Sequence, residues 1–481
     1  MSTRSGPRFE VVVKSDCPTC EAVVPVLARM QAADLDVVVH YQDDSAFLAG
    51  IGQLQDDRNL ERSFHLGVDT VPTVVRREGT SETGRAVGWV RAEWESLTGL
   101  DDLGPDLGPW RPGCGSNSAA PGMAEILRAR FSDTGLRSRT VEVAEPQDPV
   151  EVAFDRGWSD GLPVVPPTPE RILRMLAGTS RDPQEVVGLM PPDLVPCTVE
   201  KVAINAVLAG CKPEYMPVVL AALEAALEPN FTLHGLTCST CFSSPVIVVN
   251  GPIAGRIGMN WGLNALGQGN RANATIGRAV NLVVRNVGGG RPGEIDRSTL
   301  GSPGKFTFCF AEDETDPDWE PLATWRGIPP GRNAVTLFQG DGVLGVMDQG
   351  SRTPDALVRS LASALITVCH PKICEWGNAI LVISPEHYGI FKQAGWDRRR
   401  ITAALHDACT RPGAEVVRGA GGVGEGVPES RRNELVPKFH PEGLLLVRAG
   451  GQAGLYSAVL AGWPGGRAKD DSYPITREII P

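Results

Sequence analysis

An excess of positive charge, a long apolar run and a nucleotide-cradling loop are all missing from this chain of 481 residues. With 46 Lys and Arg against 57 Asp and Glu the formal charge is -11, which argues against a nucleic-acid partner, because phosphate binding needs a concentrated basic surface. No stretch approaches the roughly 20 apolar residues that span a bilayer, and residues 1–10 hold no apolar run of signal-peptide length. A cytoplasmic location with no membrane association is therefore expected. There, most of the 11 cysteines stay reduced, and a disulfide is catalytic more readily than structural. No Walker A pattern occurs. Gly267-x-Gly269-x-x-Ala272 matches a dinucleotide pattern only loosely, since no strand leads into it and no acidic residue ends a following strand. Nicotinamide and flavin are not supported, which leaves thiols as the electron carriers.

What is present is a globular composition, 42% hydrophobic, 21% charged and 6% aromatic. Its length suits two or three domains, one large enough for a substantial core. Two Cys-x-x-Cys pairs stand out, Cys17-Pro18-Thr19-Cys20 and Cys238-Ser239-Thr240-Cys241. A dithiol at this spacing can open and close without moving the backbone, and two such pairs suggest that one passes electrons to the other.

Residues 1–100 read as a small β/α domain. Strands are expected at 9–13 and 36–40, after Val71-Pro72-Thr73 and after Gly84, with a closing helix at 93–100. Asp16 is expected to cap a helix carrying Cys17 and Cys20 in its first turn. Unpaired amides and the helix dipole there favour a thiolate, so Cys17 reads as the attacking sulfur and Cys20 as the resolving one. The Cys-Pro-x-Cys turn ahead of a helix, with Val71-Pro72-Thr73 about fifty residues on, resembles the thioredoxin and glutaredoxin fold over residues 8–100. That resemblance implies that Pro72 is the cis-proline beside the dithiol, where it leaves the flanking backbone free to bind an extended substrate. The motif departs from the family's usual Trp-Cys-Gly-Pro-Cys in having Ser15-Asp16 before it and Thr19 after the proline. A redox-silent adaptor or a zinc-binding pair are the alternatives.

Residues 101–150 turn rich in Gly and Pro, as in Leu107-Gly108-Pro109-Trp110-Arg111-Pro112-Gly113-Cys114-Gly115-Ser116, and read as a linker. Cys114, flanked by glycines, is a candidate third redox thiol on that tether, or an ordered loop cysteine without a role.

Residues 151–481 repeat a theme of apolar strand, small or polar turn and helix. Strands at 246–249, 334–338, 379–383 and 444–447 lead into Asn250-Gly251-Pro252, Gln339-Gly340-Asp341-Gly342, Ser384-Pro385-Glu386-His387 and Arg448-Ala449-Gly450-Gly451. An α/β domain with a mostly parallel sheet is expected, its site at the carboxyl ends of these strands. Asp160-Gly161-Leu162-Pro163-Val164-Val165-Pro166-Pro167-Thr168, residues 271–279, residues 303–309, Pro385-Glu386-His387 and Ile475-Thr476-Arg477 together resemble a poorly characterised bacterial family associated with UGSC-motif (seleno)proteins. The likeness spans about residues 150–481 and implies redox chemistry. This chain has cysteine only, and Cys114-Gly115-Ser116 merely echoes the motif.

Within this domain Cys238 and Cys241 precede the strand at 246, among the hydroxyls of Thr237, Ser239, Thr240, Ser243 and Ser244. They read as the dithiol acceptor for Cys17 and Cys20. Cys369, His370 and Cys374 could join them in a tetrahedral site of the kind that zinc commonly takes, which makes zinc the candidate cofactor. A helix over 270–286 would align Arg271, Arg278 and Arg285 at every seventh residue and Asn273, Gly277 and Asn281 at every fourth. Arg271, Asn273 and Arg278 are expected to hold an anionic group by bidentate hydrogen bonds. His387 is the expected general acid or base, with His234 as its rival and Glu386 beside the substrate. Lys305, Glu312 and Glu314 flank a strand at 306–310 and are expected either to pair or to complete the pocket.

The expected function is a thiol-dependent oxidoreductase acting on a small, anionic organic substrate and reset by an external thiol reductant or thioredoxin-type system, with a homo-oligomer as the candidate assembly. A thiolate-based lyase or hydrolase splitting a bond to sulfur or a soft metal is the alternative enzyme. A zinc-binding or redox-sensing scaffold is the non-enzymatic alternative.

Overall fold

The computed structural model describes residues 6–463 and 472–480 and divides into two compact units, Met1–Thr134 and Gly135–Pro481. Both combine helices with sheet, an α/β architecture.

In the first unit, β1 (Arg8–Val13), β2 (Asp36–Tyr41) and β3 (Leu54–Asp56) alternate with α1 (Pro18–Ala22) and α2 (Val24–Ala32). After α3 (Glu61–Leu66) come β4 (Thr73–Glu78), β5 (Ser81–Val87) and α4 (Arg91–Thr98). The sheet order is β3-β2-β1-β4-β5. β1, β2 and β3 run parallel, whereas β4 is antiparallel to β1 and β5 to β4. Val11, Val12, Val13, Val37, Val39, Val74 and Val75 fill the core with Trp89 and Trp94, whose rings meet edge to face at 5.4 Å. β-branched runs of this kind suit central strands buried on both faces.

The segment read as a linker belongs in part to this unit. Trp110–Arg111 pairs with Trp89–Val90, and Cys114–Gly115 pairs with Thr70–Val71. The buried Gln42 amide donates to Ser116 Oγ at 2.7 Å and its carbonyl accepts from Asn117 N at 2.9 Å. Thr19 Oγ1 donates to Pro112 O at 2.7 Å, and α5 (Met123–Phe131) follows. Gly and Pro here serve close packing instead of flexibility. A Cβ on Gly113 would lie 2.3 Å from Thr70 Cγ2 and 2.8 Å from Val71 O.

The second unit is built on a seven-stranded sheet. Its elements include α6 (Val199–Ala209), α7 (Met216–Ala226), α8 (Leu233–Cys238), β6 (Ser244–Asn250), α9 (Arg271–Asn286), β7 (Cys309–Ala311), β8 (Ala334–Met347), α10 (Pro354–Leu365), β9 (Gly377–Ile383), α11 (Pro385–Gln393), α12 (Arg398–Ala408), β10 (Phe439–Arg448), β11 (Tyr456–Gly462) and β12 (Ile475–Glu478). The order is β7-β6-β8-β11-β9-β10, with β12 also beside β8. All four apolar segments foreseen as strands lie in it.

The expectation of a mostly parallel sheet is corrected. Among the described strands, β6/β7 and β9/β10 pair parallel, whereas β6/β8, β8/β11, β8/β12 and β9/β11 pair antiparallel. β6 and β9 are buried along their whole lengths, because one face of β6 packs Ile247 and Val249 into one cluster and the other packs Val246 and Val248 into a second. An uninterrupted apolar run follows from cover on both faces, whichever way the neighbours point. Residues 339–342 lie inside β8 and form no turn, and β6 runs opposite to β9 and β10, so the turns after these strands do not share one edge and the expected site at the carboxyl ends is not assembled.

Candidate functional site

Two thiol-bearing places result, one in each unit. In the first, Cys17 is itself the N-cap of α1, in place of the expected Asp16, and its sulfur accepts from Cys20 N at 3.3 Å. It lies 3.6 Å from the carbonyl oxygen of Val71, whose bond to Pro72 is cis. Val71 is the register partner of Cys114, so the cis-proline segment lies next to Cys17 on one side and pairs with the Cys114 strand on the other. Cys17 and Cys20 are fully buried, whereas Cys114 is half-exposed.

The three thiols differ electrostatically. Burial pushes the Cys17 thiol up, but hydrogen bonds from the Cys114 and Cys20 side chains and from the Cys20 and Thr19 amides outweigh it and hold Cys17 below the usual thiol range. Cys114 is pushed up, first by the same bond to Cys17 and then by burial. Burial pushes Cys20 far up. Ionisation is therefore favoured at Cys17 over Cys114 and Cys20.

In the second unit, Cys238 ends α8 and Cys241 sits in the turn before β6. Both are half-exposed. Cys238 Sγ is 3.8 Å from His234 Nε2 on the preceding turn, and its pKa is raised by burial and by the nearby Asp296 and Asp193 carboxylates. Cys241 Sγ is 3.4 Å from Ser243 Oγ, which in turn donates to Asp341 Oδ1. Asp341 comes from β8, at the register shift between Gly340 and Gly342. A bulge re-aims a side chain in this way, and a sequence reading that took residues 339–342 for a turn missed it. Burial raises the Asp341 carboxyl above its usual range, which suits a proton acceptor at the end of a Cys241, Ser243, Asp341 chain.

A cavity of about 150 Å³ opens beside this chain, lined by Thr237, Ser243, Ser244, Asn281, Arg285, Lys305 and others. Lys305 Nζ is bound by Asp296 Oδ2 at 2.5 Å and by Ser298 Oγ at 2.6 Å. Its partner is thus Asp296, and neither Glu312 nor Glu314. Glu312 is buried against Arg398, and Glu314 accepts from Asn250 Nδ2 and Gly251 N.

Several expected site residues are engaged elsewhere. The helix over 271–286 forms, but Arg278 is bidentate to Asp160 at 2.8 and 2.7 Å, and Arg271 Nε donates to Gly210 O. The Asn273 amide is consumed by backbone groups of Asn260 and Ala265. These side chains anchor the helix, which approaches so closely that a Cβ on Gly277 would lie 2.8 Å from Phe308 N. His387 is fully buried, with Nδ1 2.7 Å from Ser457 Oγ and Nε2 3.1 Å from Asp348 O. Both ring nitrogens are thus occupied, and Glu386 accepts from Leu455 N. None of these partners is a thiol.

Among the described residues, no group of three or more His, Cys, Asp and Glu is arranged to hold a metal ion. Cys374 packs with Val416, Val417, Val427 and Val436, and Cys369 bonds to Gly462 O. Nor does any described helix have the length and apolarity to cross a membrane. Compared with known proteins, the chain matches no family model and no curated protein.

Proposed function

We propose that the protein is a thiol-dependent oxidoreductase whose redox centre is Cys17 together with Cys114 and Cys20. The observation that carries this reading is the Cys17 sulfur, which accepts from the Cys20 amide at the start of α1 and lies against the cis Val71–Pro72 bond, where hydrogen bonding favours its ionisation. The sheet order, with three parallel strands followed by an antiparallel pair, supports a thioredoxin-like reading of this unit.

The exchange balances with an external disulfide and thiol. Cys17 thiolate attacks one sulfur of a disulfide, and the other sulfur leaves as thiolate and takes up a proton. Cys114, giving its proton to solvent, then attacks Cys17, which closes a Cys17–Cys114 disulfide and releases the second thiol. Two protein thiols are oxidised and one disulfide is reduced. For resetting, an external thiolate meets the half-exposed Cys114 sulfur, and Cys17 departs as the better leaving group because its pKa is lower. Cys20 is the alternative resolver, but burial suppresses its ionisation.

Graded oxidation with peptide-level disulfide mapping tests the assignment. A Cys17–Cys114 or Cys17–Cys20 bridge forming before any other is expected, and a first bridge that omits Cys17 overturns it. Exchange with Cys238 and Cys241 is the further step of this proposal. With both resolving thiols replaced, Cys114→Ser together with Cys20→Ser should trap Cys17 in a mixed disulfide with one of them, and its absence under oxidation removes that step.

The Cys241, Ser243, Asp341 chain favours a second reading, in which Cys241 acts as a thiolate lyase or hydrolase on a molecule in the adjoining cavity. Under that reading Cys17→Ala keeps full turnover; under the first, multiple turnover is lost.

A further inference from the structure

We propose that the cavity beside Cys241 is a binding site for a small organic monocarboxylate, held by Arg285 and Ser244. The proposal deepens the oxidoreductase reading by naming its substrate class, and it is tested by binding without turnover, so the two can fail separately.

The charged residues that line the cavity leave one cation over. Asp160 is neutralised by Arg278 and Asp296 by Lys305. Arg285, in the last turn of α9, has no hydrogen-bond or ion-pair partner among the described residues, and its Nε is buried. Nearby Arg291 also has a buried Nε without a partner. Burial and then the Arg291 charge lower the Arg285 pKa, outweighing the opposing pull of the Asp160 and Glu294 carboxylates, neither of which bonds to it. Ser244, 2% exposed, points an unpaired Oγ to the same wall. A buried unmatched donor costs free energy unless a ligand satisfies it, and the two such groups that line this hollow, Arg285 Nε and Ser244 Oγ, share one remedy. A carboxylate accepts two parallel N–H bonds from a guanidinium and has lone pairs left for a hydroxyl.

The other walls choose among anions. Leu233, Leu236, Pro245, Val284 and Phe306 line the cavity, so the ligand must carry an apolar body as well as a charge, which inorganic phosphate lacks. A volume of about 150 Å³ matches that of protein cavities that admit benzene. The ligand is therefore an acid of a few carbons, with its body near the Ser243 hydroxyl that Cys241 contacts.

Titration calorimetry on the full chain with butanoate and benzoate, their neutral amides and inorganic phosphate tests the assignment. At least one carboxylate should bind, with its amide and phosphate each at least 10-fold weaker. Arg285→Gln should weaken it by roughly 10–100-fold, the range for a charged hydrogen-bonded pair. Arg285→Lys should restore little, because the fork is lost. Should the Arg285 variants not fold, Ser244→Ala carries the test with an expected loss of about 3–10-fold. The proposal is overturned if neither acid binds, if amide or phosphate binds as well as the acid, or if folded Arg285→Gln binds undiminished. Cys17→Ala should bind the acid as the native chain does; if it alone fails in redox exchange, the two assignments stand independently.

Discussion

Replacing Cys114 by alanine removes a thiol donor from Cys17 while leaving the backbone pairing of residue 114 with Val71 in place. A hydrogen bond to a charged acceptor contributes about 1.5–3 kcal/mol, and each 1.36 kcal/mol is a factor of ten in ionisation. At a pH below the titration of Cys17, its thiolate population should then fall by roughly 10–150-fold. A more basic thiolate is also a stronger nucleophile, with a Brønsted slope of about 0.4–0.5, which returns nearly half of those decades. The net slowing of alkylation is about 4–16-fold. Because Cys17 is fully buried, trimming residue 114 also opens access, so the pH profile is more informative than any single rate. Iodoacetamide labelling from pH 5 to 9, read on the Cys17 peptide by mass spectrometry, should show the profile moving to higher pH in Cys114→Ala. Cys114→Ser keeps a donor and should move it little. A Cys114→Ala profile that stays where it was, or moves to lower pH, refutes the Cys114 hydrogen bond as the group that lowers Cys17, and with it the pairing of these two thiols.

Glu10 is buried on β1 and accepts from His40 and Arg62; burial pushes its carboxyl up, yet these partners outweigh it and hold it at about 2 instead of 4.5. A lowered folded pKa stabilises above the unfolded value and is lost as pH falls toward 2, so roughly 3 kcal/mol should disappear between pH 5 and 2. Hydrogen exchange in β1 and β2 should follow that loss in the native chain, and Glu10→Gln should flatten it. Arg398 is buried with Glu312 at 3.1 Å and lies over the Trp319 ring at 4.4 Å. Arg398→Met should cost about 3–5 kcal/mol in urea unfolding, because a carboxylate is left buried and unpaired, and Glu312→Gln on top of it should restore part. Asn273→Ala should cost about 1–3 kcal/mol by freeing the backbone it ties, without the loss of carboxylate affinity expected of Arg285→Gln. Equal effects of the two on calorimetric binding would contradict the division of α9 into anchoring and binding residues.

The difference between Asn273 and Arg285 marks how far the chain can be read without coordinates. Periodicity places both on one helix, and the helix forms as expected, because a 3.6-residue repeat is local. Which of its polar side chains is already engaged depends on partners more than ten residues away in the chain, Asp160 for Arg278 and Asn260 for Asn273, and spacing along the helix carries no record of them. The same limit acts on the strands: β-branched runs reveal that a segment is covered on both faces but not the direction of its neighbour, so the sheet was foreseen and its pairing was not. His387 stands out in sequence as an imidazole after a strand, yet two neighbours occupy its ring.

The Cys17 centre was legible to a greater degree because its parts are local or nearly so. A Cys-Pro-x-Cys helix start fixes the attacking thiol within four residues, and the sulfur caps the helix through the amide of Cys20. Cys114 was recognisable as a thiol but not as a fixture, since Gly and Pro signal turns whether a segment floats or packs. What distinguishes the two is Gly113, where a side chain would collide with Thr70 and Val71. Read with its neighbours, that glycine is what allows the third sulfur to approach the first. It also makes a demand: Gly113→Ala should push residue 114 off the Thr70–Val71 strand and move the Cys17 alkylation profile upward as Cys114→Ala does, although every cysteine is still present. If the profile stays in place while the unit remains folded, proximity set by this strand is not what tunes Cys17.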